Sequence, residues 1–244
     1  MKASSLTDIG AEREMNQDYF YSSEESVGSL PSLFIVADGM GGHRAGEFAS
    51  RYAVEAIVRK AKTLSGRGFI SILNECIVNA NLELLEQSSS HPEMRGMGTT
   101  VVAAVLDGHT LIVANVGDSR LYVIGDKIRQ ITRDHSLVQE MVRIGEIDPE
   151  EARSHPDRHI ITRAVGVESH VQADIFETVL NQGERVLLCS DGLTNMVEDS
   201  DILRAVNGPG SVSEKTEQLV ALANKNGGRD NITVILIEPE EPLP

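Results

Sequence analysis

Three aspartates stand beside glycines, and a fourth stands two residues after one, at the ends of apolar, strand-like runs of the sequence. Three of them follow such a run and one precedes the last run; they are Asp38, Asp118, Asp191 and Asp230. A single Asp-Gly pair is explained by a turn, because both residue types favour turns. Strands of one sheet bring their ends together, however, so we expect these carboxylates to converge. Converging carboxylates repel one another and stay ionised together only when cations lie between them.

The chemistry of these side chains indicates the kind of cation. The strand ends offer oxygen donors without Cys or His, a set that favours Mg²⁺ or Mn²⁺ over Zn²⁺. Two such ions that share a carboxylate can activate a bridging water for in-line attack on a phosphate ester. Arg13 is a candidate for holding the phosphate, since a guanidinium matches phosphate oxygens with two hydrogen bonds. The sequence therefore predicts phosphate ester hydrolysis.

The elements that position these residues are predicted from hydrophobic patterning. Runs rich in Val, Ile, Leu and Tyr predict strands at 18–22, 33–37, 99–106, 111–116, 120–124, 173–179, 185–189 and 232–237. Apolar residues three and four positions apart predict helices after Gly42, over Ile70–Leu84 and over Ser213–Lys225. Helices and strands do not alternate regularly. The order therefore favours antiparallel sheets with helices packed outside them, an α+β fold.

One long polar segment interrupts this pattern at residues 133–166. It mixes short helical patterns with His, Arg and Pro. Long polar inserts in compact domains are often lids or binding loops. We interpret its three histidines, His135, His155 and His159, as surface or turn residues.

The composition predicts a single globular domain over residues 1–238, followed by an acidic, Pro-rich tail at 239–244. The chain has 22 basic and 37 acidic residues among 244, and the resulting net charge of −15 argues against nucleic acid or an anionic membrane as partner. Two distant cysteines and the absence of a signal-peptide pattern or of an apolar run long enough to span a membrane favour a cytoplasmic location. Without a self-associating stripe, we expect a monomer.

Seven short stretches match one family pattern, in the family's order and nearly from end to end. They are REMNQD at 13–18, VADGMGGH at 36–43, GTT at 98–100, VGDSR at 116–120, ITRDHS at 131–136, SDGL at 190–193 and GRDNIT at 228–233. Together they are highly specific, and the sequence resembles the compact bacterial form of the PPM, or type 2C, metal-dependent Ser/Thr protein phosphatases. The resemblance implies a four-layer αββα sandwich, two antiparallel sheets flanked by helices, with a metal cleft at one end and a flap near 133–166.

The resemblance also implies an activity and a role for individual residues. Phosphoserine and phosphothreonine in proteins would be hydrolysed by a metal-bridging water or hydroxide, without a phosphoenzyme. For two core Mn²⁺ or Mg²⁺ ions, the implied ligands are Asp38, which both ions share, the carbonyl of Gly39, Asp191 and Asp230. Asp118 and Asp191 would hold a third, weaker ion. Asp18 would act through water. Arg13 would hold the substrate phosphate, and Asn231 is a further candidate for binding water or phosphate.

Two positions depart from many eukaryotic members of the family. Gln17 stands where those members carry a glutamate ligand, so we expect water to fill part of that shell. Met40 stands where they carry a histidine proposed as the general acid. His43 is the nearest candidate to protonate the leaving oxygen, because its ordinary pKa suits that role. A purely structural role of His43, with metal-bound water as the acid, is the alternative.

Other catalytic classes find no support in the sequence. A cysteine phosphatase needs an arginine six residues after its cysteine, and neither Cys76 nor Cys189 has one. The sequence contains no phosphate-binding P-loop motif and no G-x-S-x-G motif. Two alternatives stay open: a pseudophosphatase that serves as a regulatory binding module, and a general phosphatase for small molecules. The partners expected of a protein phosphatase are phosphorylated substrates of a Ser/Thr kinase.

Overall fold

The computed structural model describes residues 1–42, 44–152 and 155–239. The strands of this part are β1 (Lys2–Asp8), β2 (Asp18–Ser23), β3 (Leu33–Met40), β4 (Gly98–Thr99), β5 (Val101–Asp107), β6 (Thr110–Val116), β7 (Arg120–Ile124), β8 (Ile128–Gln130), β9 (Asp174–Val179), β10 (Arg185–Cys189) and β11 (Ile232–Glu238). Its α-helices are α1 (Ala45–Ala61), α2 (Phe69–Ser90), α3 (Leu137–Ile144), α4 (Pro149–Ala152), α5 (Asp191–Thr194), α6 (Asp199–Asn207) and α7 (Val212–Lys225).

The strands form two antiparallel sheets. One has the order β1-β11-β10-β7-β8, and the other has the order β2-β3-β5-β6-β9, with β4 paired to β3. Side chains of β3 show how both faces are buried: Phe34 and Val36 lie in the core between the sheets, whereas Ile35 and its alternate neighbours lie in the core under the helices. A strand buried on both faces reads as a continuous apolar run, which is why this strand is visible in the sequence.

Helices cover the outer face of each sheet. The helices α1 and α2 pack on the sheet that contains β3, through a cluster that includes Ile57, Ile72 and Ile77. The helices α5, α6 and α7 pack on the sheet that contains β11, through a cluster that includes Leu193 and Leu219. The predicted α+β sandwich of two antiparallel sheets flanked by helices is confirmed. Among the described helices, none is both long and apolar enough to cross a membrane.

The insert predicted as a flap near 133–166 lies between β8 and β9 and contains α3 and α4. Its two arms are joined, since Ser136 and Ile161 form a β-bridge and the N–H of Thr162 donates to the carbonyl of His135 at 2.8 Å. The prediction that His135 is a surface or turn residue is wrong. Its side chain is buried, and its Nδ1 accepts a hydrogen bond from the N–H of Gly117 at 3.0 Å.

Candidate functional site

The structure brings the four predicted aspartates to one end of the sandwich. Antiparallel strands alternate in direction, so the end of β3, the turn after β6, the end of β10 and the start of β11 share an edge. The cleft at this edge has a volume of about 440 Å³, and its lining includes Asp38, Asp118, Asp191 and Asp230. The predicted convergence of these carboxylates is therefore a feature of the fold.

Asp18 lies directly beside this group. It is the residue opposite Asp38 in the β2–β3 ladder, and it is buried. Its Oδ2 accepts a hydrogen bond from Oγ of Ser190 at 2.7 Å, and Oγ of Ser190 also accepts from the N–H of Thr233 at 3.0 Å. The second carboxylate oxygen, Oδ1, is buried and has no hydrogen-bond partner among the described residues. Asp18 thus faces the centre with one oxygen held and one oxygen available.

The cluster is electrostatically strained, because several carboxyl groups share a buried site. Burial raises the pKa of Asp18 to about 7, and the charges of Asp191 and Asp230 add to this rise. Burial likewise raises the pKa of Asp118 to about 8, with the charge of Asp191 as the next cause. The pKa of Asp38 lies well above its usual range for the same reasons, burial first and neighbouring carboxylates second. These carboxyl groups need a counter-charge to ionise together near neutral pH.

Hydrogen bonds from the GTT stretch hold Asp38 in place. The carbonyl of Asp38 accepts from the N–H of Thr100 at 2.9 Å and from Oγ1 of Thr99 at 2.8 Å. The N–H of Asp38 donates to Oγ1 of Thr100, which also lies 2.7 Å from Oγ of Ser119. Thr100 therefore connects the strand of Asp38 to the turn that carries Asp118.

Close backbone approach explains the glycines beside two of the aspartates. A Cβ on Gly39 would lie 2.0 Å from the carbonyl oxygen of Gly46, and a Cβ on Gly192 would lie 2.0 Å from that of Asn231. Both distances are far below van der Waals contact, so a side chain at either position would displace the backbone. The sequence signal of a glycine after each aspartate thus reports packing around the site as well as a turn.

Arg13 lies at the rim of the cleft. Its side chain is 49% exposed, and its Nη2 donates to Oδ2 of Asp230 at 2.7 Å. A guanidinium carries five N–H donors, so this ion pair leaves donors that can face a substrate. The position is compatible with the phosphate-binding role expected of Arg13.

Two other predicted site residues have different outcomes. The Oδ1 of Asn231 accepts from the N–H of Gln17, and its Nδ2 donates to the carbonyls of Ile9 and Met15, at 2.8–2.9 Å. The amide of Asn231 is therefore used to hold the N-terminal loop, and these contacts do not fit the predicted binding of phosphate. His43, the predicted proton donor, lies outside the described residues.

The flap contributes residues that sequence reasoning did not place at the site. The lining of the cleft includes Arg158, His159 and Ile161 of the flap. It also includes Arg229, the residue before Asp230. His159 is exposed, as expected, but it is exposed toward the cleft. No local sequence signal could have found this, because the position depends on how the flap folds back over the sheet.

The donor set fits divalent cations. Oδ1 of Asp18 and Oδ1 of Asp191 are buried without hydrogen-bond partners among the described residues, and such oxygens in a ring of carboxylates suit hard ions. Within the described ranges, no three His, Cys, Asp or Glu side chains form a closed cluster around one point.

Comparisons with known proteins extend over nearly the whole chain. The family model described as protein phosphatase 2C matches residues 11–236. The serine/threonine phosphatase stp of Listeria innocua is 41% identical over 243 residues, covering 98% of this chain and 96% of that protein. The solved structure of the serine/threonine phosphatase Stp1 from Staphylococcus aureus has a TM-score of 0.91 at 38% identity, covering 97% of this chain and 95% of that one.

A further similar structure was solved with metal ions bound. The catalytic domain of the serine/threonine protein phosphatase PstP, in complex with two manganese ions, has a TM-score of 0.84 at 34% identity and covers 96% of each chain. Family match, sequence identity and fold all extend over nearly the whole length. The chain therefore belongs to the protein phosphatase 2C, or PPM, family.

Proposed function

We propose that this chain is a Mn²⁺- or Mg²⁺-dependent serine/threonine protein phosphatase. One observation carries the proposal: the fold gathers four aspartates at one cleft with Asp18 directly beside them, and one buried oxygen of Asp18 and one of Asp191 have no hydrogen-bond partner among the described residues. A pseudophosphatase is disfavoured, because the carboxylates that would hold metal ions are present. The family to which the chain belongs and the names of its relatives support the same reading.

We propose the following ligands for the ions. Asp38 would serve two core ions, Gly39 would contribute its carbonyl, and Asp191 and Asp230 would complete the core. Asp118 would hold a third, weaker ion together with Asp191, and Asp18 would support the centre through water. When bound, such ions supply positive charge to the phosphate oxygens and lower the pKa of water.

The chain's own residues bind and orient the substrate. Arg13 donates to the phosphate oxygens and neutralises charge that develops there during in-line displacement. His43 protonates the serine or threonine oxygen as it leaves. His159, which lines the cleft, is the second candidate for that proton transfer. A glutamine at the true acid would lower kcat and remove the fall in kcat at high pH, whereas a glutamine at the other histidine would keep the wild-type pH profile.

A polypeptide substrate fits the surface better than a small phosphate ester. The cleft continues beside Arg13 into a second groove of about 530 Å³, which a small ester would leave empty. We propose that the substrates are proteins phosphorylated by a Ser/Thr kinase, and that the chain acts as a monomer in the cytoplasm. The two buried, free cysteines are compatible with a reducing compartment.

Hydrolysis assays with defined metals test this function. The purified chain is given p-nitrophenyl phosphate, a phosphothreonine peptide, nucleotides and sugar phosphates, each with EDTA, Mg²⁺ or Mn²⁺. We expect metal-dependent turnover of the peptide that survives thiol alkylation. Faster turnover of nucleotides or sugar phosphates than of the peptide would favour a general phosphatase. A folded protein without turnover under any condition would favour a pseudophosphatase.

A further inference from the structure

A second concave surface, the Arg44 groove, leaves the catalytic cleft beside Arg13. It is lined by Arg13, Glu14, Met15, Gln17, Gly41 and Arg44. Arg13 lines both the cleft and this groove, so a peptide whose phosphorylated residue lies in the cleft can continue into the groove. Successive residues of an extended chain are about 3.3–3.6 Å apart, and the groove therefore receives a near neighbour of the phosphorylated residue.

Arg44 offers an uncompensated positive charge in this groove. It is exposed immediately before α1, and it forms no ion pair with a carboxylate within the described residues. Most other arginines do pair with one, as Arg13, Arg59, Arg67, Arg120, Arg129, Arg143, Arg163, Arg185 and Arg204 show. In a chain with 37 acidic and 22 basic residues, an arginine left without an acidic partner beside the active cleft is available to a ligand.

The mouth of the cleft has the same bias in charge. Arg158 and Arg229 line it, and in the part of the chain that the structure describes neither pairs with a carboxylate. Two divalent ions would balance the four aspartates of the lining, which leaves the arginines uncompensated. In the Arg44 groove, the lining includes one acidic residue, Glu14, whose negative charge opposes the positive charge of Arg44. An overall acidic protein thus presents a basic surface where its substrate enters, and such a surface attracts anionic partners.

We propose that Arg44 binds an anionic group close in sequence to the substrate's phosphorylated residue, either an acidic side chain or a second phosphate. The inference rests on the proposed phosphatase function and adds a substrate class to it: acidic or multiply phosphorylated segments. A carboxylate and a phosphate share the feature that a guanidinium recognises, two oxygens placed to accept parallel hydrogen bonds.

A set of matched peptides tests the preference. Each contains one phosphothreonine, with a single Glu or Gln placed at one of the three positions on either side, or a phosphonate side chain that cannot be hydrolysed. At the position that reaches Arg44, we expect kcat/KM to be about two- to fivefold higher for Glu than for Gln, the scale of an exposed ion pair. The phosphonate should give a larger increase, and both increases should shrink as salt is added.

Variants assign the preference to the groove. Arg44→Gln should remove the preference for Glu, and Arg44→Lys should retain it while losing more of the response to phosphonate. Glu14→Gln should strengthen the preference, because it removes the opposing charge. Arg204→Gln is the matched control, since Arg204 is 75% exposed on α6 and its loss changes net charge equally. Equal kcat/KM for Glu and Gln peptides in the wild type, or an unchanged preference in Arg44→Gln, would overturn the inference.

The neutral peptide separates this inference from the function on which it rests. If the wild type with Mn²⁺ hydrolyses no phosphothreonine peptide, the proposed function fails and this inference fails with it. If the wild type hydrolyses the Gln peptide as fast as every Glu and phosphonate peptide, the phosphatase function stands and the role of Arg44 is refuted.

Discussion

Asp18 and Asp38 face each other directly across the β2–β3 ladder. Like charges directly opposite one another destabilise an antiparallel pair, and burial increases the cost because water cannot screen them. Ser190 compensates in part through its hydrogen bond to Asp18. The sheet therefore maintains a repulsion that a bound divalent cation would relieve, and this relationship connects the fold's stability to its proposed chemistry.

Replacing Asp38 by asparagine should separate activity from stability. We expect Asp38→Asn to lose turnover at least about 10³-fold, the scale of removing a principal catalytic group. In EDTA at pH 8 the same variant should be more stable than the wild type, because one buried negative charge is removed. Peptide hydrolysis and thermal unfolding measure the two effects. Asp107→Asn is the matched control at an exposed strand end; full activity in Asp38→Asn would contradict the ligand assignment.

The metal-free protein should become less stable as pH rises from 6.5 to 8.5. The folded state raises the pKa of Asp18 to about 7 and that of Asp118 to about 8, mainly through burial. A raised pKa means that the folded state binds more protons than the unfolded state, so stability is lost as pH rises toward the folded value. Asp118 alone would contribute about 2 kcal/mol over this range.

Urea unfolding in EDTA at the two pH values checks this slope. The pKa of His135 is lowered by burial, so its contribution has the opposite sign. Half of the unfolded chains still carry this proton at pH 6.5, so His135 adds at most about 0.4 kcal/mol of stability over the range, less than Asp118 removes. Asp118→Asn should reduce the slope. Mn²⁺ should stabilise the wild type more at pH 8.5 than at pH 6.5, because metal and protons compete for the carboxylates. Metal-free stability that increases with pH here would refute the electrostatic account.

Ser190→Ala should destabilise the protein although it replaces none of the proposed metal ligands. The hydroxyl donates to Asp18 and accepts from the N–H of Thr233, and its loss leaves a buried carboxylate and a buried N–H without these partners. The expected cost is about 1–3 kcal/mol in the free energy of unfolding. Ser89→Ala is the control, because the Ser89 hydroxyl is exposed and donates within α2, to the carbonyl of Leu85. Equal stability of the two variants would show that the Ser190 bonds contribute nothing.

Arg13→Ala should lower kcat/KM for a phosphothreonine peptide about 10- to 100-fold, the scale of hydrogen bonds to a charged group. Arg13→Lys should recover only part of this loss, since lysine keeps the charge and loses the bidentate geometry. Arg129→Ala provides a matched control, because Arg129 is also about half exposed and pairs with one carboxylate, Glu184. A kcat/KM in Arg13→Ala that equals the control's would remove Arg13 from phosphate binding.

The sequence predicted most strands because burial on both faces leaves continuous apolar runs. The strand β1 escaped prediction for the opposite reason: its sequence KASSLTD is largely polar, and it is a half-buried edge strand paired with β11 along its whole length. The short strand β8 and the helix α6 were also not predicted; β8 is three residues long, and α6 presents just three buried residues. Short or edge elements depend on their neighbours for stability, so local pattern is weak there.

Residues of the candidate site could also be predicted where local sequence determines their position, and could not where distant segments determine it. Asp38, Asp118, Asp191 and Asp230 could be predicted, because each is fixed by a strand end and a glycine that permits close packing. The place of His159 in the cleft lining and the hydrogen bonds of Asn231 could not be predicted, because both depend on contacts between segments distant in sequence. Asn231 reaches back to the carbonyls of Ile9 and Met15, and no local pattern contains that information.

The most direct test of the metal centre is a Mn²⁺ titration followed by calorimetry, with peptide turnover measured at each Mn²⁺ concentration. The proposed centre predicts that at least two ions bind per chain, that turnover of a phosphothreonine peptide appears as the second ion binds, and that Asp38→Asn loses both tight binding and turnover. Undiminished hydrolysis in excess EDTA, or full turnover with fewer than two ions bound per chain, would contradict the assignment of these carboxylates to a catalytic metal centre.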